Sequence, residues 1–210
     1  VNDALNHDKK ALKEQQKVIK KMIDKNISKK IKNGLDYGGN KGETFCDELN
    51  IKNKFVYDIS NVETVKNVKS ISNYNELKNY KFDFIMCNMT LEHISNPITF
   101  VENLYKIGKK GTYYYVEVPS ENPYYKNKFS LLKNFSLLFN TKYNKFKLAK
   151  HYFKVKKEPF MPMCEHVNFF TVKSIKKLFE KCGYDVLDVQ ENIEKNVLGK
   201  NVVLSIMCKK

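Results

Sequence analysis

The segment Phe82-Asp83-Phe84-Ile85-Met86-Cys87 constrains the fold more than any other stretch of the chain. Apolar side chains occupy both phases of its two-residue alternation, so a strand made from it has to be covered on both faces, as in a parallel sheet held between helices. Further apolar strands are expected at residues 31–37, 54–59, 68–72 and 111–118, the last stopped by Pro119. Residues 185–189 and 201–208 form a closing pair able to fold as a hairpin. Helical spacing lies between these strands. Leu12, Ile19, Met22, Ile23, Ile27 and Ile31 mark one face of a lysine-rich helix over 8–31, and Phe45, Cys46 and Leu49 suggest a second after a glycine turn. Asn96 and Pro97 open a third, with Phe100, Val101, Leu104 and Tyr105 on its apolar face and Gly108 at its end. Thr171 opens a fourth, with Ile175, Leu178, Phe179 and Cys182 inside and Gly183 past its end. Strands alternating with helices predict the α/β class.

A length of 210 residues suits one core and is short for two ordinary domains. The expected organisation is an N-terminal helix over 1–30 and an α/β domain over 31–210. From about 120 to 165 the periodicity lapses into an insertion rich in Tyr, Phe and Lys, which suits a lid over a substrate, a packed helical pair or the interface of a homodimer. No apolar run approaches the roughly 20 residues of a membrane helix. The start lacks the apolar core of a secretory signal, while the absence of an initiator Met is consistent with a native N-terminus further upstream. The five cysteines are scattered without C-x-x-C spacing, which fits a reduced, cytoplasmic setting, and Cys87 and Cys182 read as core fillers.

Basic residues outnumber acidic ones 38 to 23, giving a net charge of +15, and every basic residue is Lys. The excess favours an anionic partner, while the lack of Arg, with its planar fork, argues against sequence-specific nucleic-acid reading. Histidines and carboxylates show no metal-ligand spacing, so no metal is expected.

The chemistry concentrates at three places. The first is the turn Asp36-Tyr37-Gly38-Gly39-Asn40-Lys41-Gly42, where glycines let backbone N–H groups approach a ligand. The dinucleotide pattern G-x-G-x-x-G does not fit it. The second is Asp58, at the end of the second strand, a carboxylate able to accept both hydroxyls of a ribose. The third is Asn88-Met89-Thr90-Leu91-Glu92-His93, directly after the central strand, at the carboxyl edge where open α/β sheets bind ligands.

In this order the three pieces resemble the class I S-adenosylmethionine (SAM) dependent methyltransferases, in particular the methyltransferase domain 23/11-like branch that acts on small molecules and sugars and carries Leu-Glu-His after its fourth strand. The segment Glu165-His166-Val167-Asn168-Phe169-Phe170-Thr171 looks like the same branch. The family turn reads acidic-x-Gly-x-Gly-x-Gly; here Asn40 stands at the middle glycine, and Asn tolerates left-handed backbone better than most residues. The resemblance implies a Rossmann-like three-layer sandwich with a seven-stranded, mostly parallel sheet whose last strand is antiparallel. It implies SAM as cofactor, with S-adenosylhomocysteine (SAH) as product. Asp36, Tyr37, Gly38, Gly39 and Gly42 would cradle SAM, Asp58 with Ile59 would meet its ribose side, and Ser72 and Asn73 its adenine. Asn88, Met89 and His93 would line the methionine end.

The acceptor expected on this basis is a small molecule, a hydroxyl- or phosphate-bearing sugar or nucleotide-sugar of capsule, polysaccharide or natural-product biosynthesis. His166 ranks first as general base, followed by His93, with His151 a further candidate, because imidazole exchanges protons near neutral pH. An RNA or protein methyltransferase and a catalytically idle SAM-binding module are the alternatives. Asn88 is not followed by the prolines and aromatic of enzymes that methylate exocyclic amines of bases.

Overall fold

A computed structural model describes residues 2–120, 166–196 and 199–210, without the side chains of 2–8 and 193–201. The expected insertion, His151 and Cys164 lie outside the described residues. In chain order the elements are α1 (Asn2–Asn26), β1 (Asn33–Tyr37), β2 (Asn53–Tyr57), β3 (Val68–Ile71), β4 (Phe84–Asn88), α2 (Pro97–Ile107), β5 (Tyr113–Pro119), α3 (Val172–Lys181), β6 (Asp185–Asn196) and β7 (Gly199–Lys209). The strands form one seven-stranded sheet in the order β3-β2-β1-β4-β5-β7-β6. Strands β1 to β5 pair in parallel, and β7 runs antiparallel to both β5 and β6. This is the expected Rossmann-like sheet with its reversed last strand. The chain steps outward from β1 to β3 and returns to β4 on the other side of β1, which makes the β1–β4 boundary the switch point where such sheets open a ligand crevice.

Each central strand feeds two cores. Phe84, Met86, Tyr113 and Tyr115 face one side with Ile19, Met22, Ile23 and Ile27, while Ile85, Cys87, Tyr114 and Val116 face the other with Val101, Leu104, Ile175 and Phe179. Among the described residues α1 therefore covers one face, and α2 with α3 the other. Removing each of these large side chains from water is worth roughly 1.5–3 kcal/mol, which is why the run at 82–87 forces a layered fold.

The helix signals at α2 and α3 hold in detail. Asn96 Oδ1 accepts from Thr99 N at 3.1 Å with Pro97 next in the chain, and Thr171 and Ser174 form a reciprocal capping box. Gly183 takes φ +87° past the end of α3. Cys87 is fully buried, and burial pushes its thiol up, as a core filler requires; Cys182 is only partly buried against the core.

Two expectations change. Helix α1 ends at Asn26, with Ile27 and Ile31 buried beyond it. The helix expected after the glycine turn is a single 3-10 turn, Asp47–Leu49, ended by Asn50 at φ 52°. Few residues separate Gly42 from β2, and the layer such a helix would fill is taken by α1, which packs Ile19, Met22 and Ile23 with Phe45, Leu49 and Ile51. The carboxamide of Gln15 pins α1 further by donating to Glu117 Oε1 at 2.6 Å.

Candidate active site

The turn after β1 is built by backbone geometry. Gly38 N–H donates to Tyr57 O at 2.8 Å, and the chain then reverses at φ +78°. A Cβ on Gly38 would lie 2.7 Å from Thr90 Oγ1, so the turn sits directly on the loop that follows β4. Asn40 adopts φ 49°, in the left-handed region that Asn enters more readily than most residues. Its N–H donates to Asp58 Oδ2 at 2.9 Å. Asp58 Oδ1 accepts from Ser60 N and Ser60 Oγ at 2.8 and 2.6 Å. Partial burial works against the charge on Asp58, but the bonds from Ser60 and Asn40 outweigh it and hold the carboxyl below its ordinary range. Ile59 beside it is 87% exposed. One strand further out, Ser72 and Asn73 are exposed at the end of β3, and Asn73 caps the following turn by accepting from Asn75 N.

Asp36 lies beneath Gly39, where a Cβ would overlap its carboxyl. It is 0% exposed and, apart from the nearby Thr44 side chain, neither carboxylate oxygen has a hydrogen-bond partner of ordinary geometry. Burial pushes its pKa up to about 7, Thr44 pulls the other way, and the charge of Asp58 adds to the rise. A carboxyl that titrates near 4 in the unfolded chain and near 7 in the folded one binds its proton more tightly when folded. Its contribution is therefore most favourable below pH 4 and is lost as pH rises to about 7, by up to roughly 4 kcal/mol. Asp36→Asn is expected to unfold at a higher urea midpoint than the parent at pH 8, with the difference shrinking toward pH 4; equal midpoints at pH 8 would contradict this.

Across the switch point, both polar atoms of the Asn88 side chain are buried without a partner. Met89 follows at φ 48°, uncommon backbone for a bulky residue, with its N–H donating to Glu117 O at 2.9 Å. Strained backbone and orphaned polar groups cost stability, and they concentrate where a ligand supplies the missing contacts. Asp36 and Asn88 thus fit a ligand with polar groups seated between β1 and β4.

The third part of the site joins two distant segments. The rings of His93 and His166 meet edge to face with centroids 4.9 Å apart. Val167 N and Asn168 N both donate to Glu92 O, and the Asn168 side chain donates to Leu91 O and Ile94 O. The Leu-Glu-His turn is thereby stitched to the segment entering α3. The structure places the turn residues, Asp58 and Asn88 along the carboxyl edge, brings His93 to His166, and leaves Ser72 and Asn73 a strand away.

A model of the methyltransferase domain family matches residues 7–189. The chain belongs to this family. It is a SAM-dependent methyltransferase. Solved structures with the same fold include the 1,6-didemethyltoxoflavin-N1-methyltransferase of Burkholderia thailandensis, bound to 1,6-didemethyltoxoflavin and SAH (TM-score 0.60, 11% identity, 93% of this chain and 78% of that one). Magnesium protoporphyrin IX methyltransferase from Synechocystis, with bound SAH, aligns over 100% of this chain and 89% of its own at 10% identity and TM-score 0.57. A SAM-dependent methyltransferase from Methanosarcina mazei aligns over 90% and 96% at 18% identity and TM-score 0.53. No curated protein matches the sequence. Among the described residues of the methyltransferase, no helix is long and apolar enough to cross a membrane.

Reading the sequence by spacing missed Glu92 and Thr44. Glu92 is 1% exposed, and an acidic residue within the Leu-Glu-His turn after β4 is the one signal that could have marked it. Thr44 carries no such mark.

Proposed function

We propose that this methyltransferase transfers a methyl group to a hydroxyl of a small anionic acceptor, a phosphorylated or nucleotide-linked sugar being the class its features favour. The pairing of His93 with His166 at the carboxyl edge carries the reading. When bound, SAM supplies a methyl group on a positively charged sulfur that leaves as neutral SAH. The chain's own residues have three tasks. The turn Asp36, Tyr37, Gly38, Gly39 and Gly42 holds the cofactor's methionine end, with Asn88 and Met89 closing that end. Asp58 accepts the ribose hydroxyls beside exposed Ile59, and Ser72 and Asn73 approach the adenine. His166 and His93 face the acceptor and ease the loss of its hydroxyl proton. Alignment of the two reactants with water excluded is the larger share of such catalysis. The surplus of lysines draws an anionic acceptor toward the site, an attraction that salt weakens.

The test is methyl transfer from labelled SAM to sugars, sugar phosphates and nucleotide-sugars, alongside amines and RNA. Turnover is expected with a phosphorylated hydroxyl acceptor, and His166→Ala should lower kcat by about 10²–10⁴-fold. Turnover confined to amines or RNA, or untouched by His166→Ala, would contradict the proposal.

A further inference from the structure

We infer that Glu92, His93 and His166 form a binding site for one divalent transition-metal cation at the acceptor end of the pocket, an inference that rests on the proposed function for the cation's use and on geometry alone for its binding. One ligand atom from each residue lies within 4.8 Å of the other two. His93 Nε2 and Glu92 Oε1 are 3.8 Å apart, too far for a hydrogen bond. Two ligands on a tetrahedral zinc, each 2.0–2.1 Å from the ion, stand roughly 3–3.5 Å apart, so side-chain rotation has to draw the donors together by up to roughly 1.5 Å. Two imidazoles and a carboxylate are the donors that ions of the zinc, cobalt and iron class prefer over magnesium or calcium.

The frame around the donors is the second observation. Metal sites depend on outer hydrogen bonds that fix their ligands. Here the Glu92 carbonyl accepts from both Val167 N and Asn168 N, and the Asn168 carboxamide ties Leu91 and Ile94 to the segment carrying His166. His93 N–H donates to Thr90 O at 3.1 Å, which fixes the remaining arm. The Glu92 side chain is 2% exposed and the His93 side chain 38% exposed. An ion on three protein donors keeps positions free for outside ligands. Oxygen atoms of a sugar diol or a phosphate suit those positions, which narrows the acceptor to molecules offering two such oxygens. With both imidazoles holding the ion, its charge rather than a free imidazole would ease proton loss from the acceptor. Spacing along the chain hid the site because His166 reaches it from a segment remote in sequence.

The experiment uses the full chain, stripped with a chelator and titrated with Co²⁺ by calorimetry and visible absorption, with SAH binding measured on the same samples. One equivalent of Co²⁺ is expected, with the visible bands of nitrogen and oxygen ligands and no thiolate charge-transfer band. His166→Ala should weaken Co²⁺ binding by roughly 100-fold while SAH still binds, which also shows that the variant is folded. Absence of stoichiometric Co²⁺ binding, a thiolate band, or binding unchanged in His166→Ala would overturn the inference. If SAH binds while Co²⁺ does not, only the cation site fails; if SAH does not bind, the cofactor reading fails, whatever Co²⁺ does.

Discussion

Gly39→Val is expected to weaken SAH binding by about 10–100-fold. Gly39 does not lie in the left-handed region; its need is for space, because a Cβ at this position would run into the buried Asp36 carboxyl. That carboxyl cannot retreat, since Asp36 is held in β1 between the paired strands β2 and β4 and has no exposed surface. The turn has to move instead, and with it the Asn40 N–H that binds Asp58. Forcing extra carbons into a packed site costs typically 1–3 kcal/mol, and 1.4 kcal/mol is tenfold in affinity. Gly111→Ala supplies the contrast. Unlike Gly39, Gly111 has a positive φ, +87°, but nothing stands within 4 Å of an added Cβ and it lies outside the pocket. This variant should lose a little stability and no SAH affinity. Calorimetric titration of both variants checks the pair, and equal affinities would mean that the turn does not hold the cofactor.

Phe179→Ala is expected to produce the largest loss of stability, about 3–5 kcal/mol. Phe179 is fully buried on the inner face of α3, and its ring meets Tyr184 edge to face at 5.0 Å. Tyr184 in turn meets Tyr114 of β5 at 4.8 Å and donates its hydroxyl to Val101 O of α2 at 2.9 Å. Deleting one ring therefore leaves a cavity where α2, α3 and the sheet converge, and close-packed neighbours collapse into such a cavity only in part. For a domain of this size the melting temperature should fall by roughly 6–20 °C. Urea unfolding measures the loss, and a change below about 1 kcal/mol would contradict the packing described.

Much of this was legible because the local signals were strong. Asn96-Pro97 and Thr171 had to begin helices, and the apolar run at 82–87 had to be sandwiched, as the two cores on either side of β4 show. Asn40 in place of glycine was legible too, since a short polar side chain permits φ 49°. The missing helix after the glycine turn was not, because the pattern at Phe45, Cys46 and Leu49 records burial against α1 rather than a helical face of its own. Strand β6 runs on to Asn196, beyond the apolar stretch at 185–189, because pairing with β7 rather than hydrophobicity extends it. The Glu92–His93–His166 cluster is a product of tertiary folding, invisible to any local spacing rule.

The most direct measurement is a thermal-shift and calorimetric titration of the full chain with SAH, beside NAD and ATP, with Asp58→Ala as control. One SAH per chain is predicted, and at about 100 times its dissociation constant it should add roughly 2.7 kcal/mol. That corresponds to a rise of about 5–10 °C for a domain of this size. The shift should be absent with NAD and ATP and lost in Asp58→Ala, which removes both the carboxylate proposed to meet the ribose and the acceptor for the Asn40 N–H. A well-folded chain that ignores SAH, or that responds equally to NAD, would contradict the account at its centre.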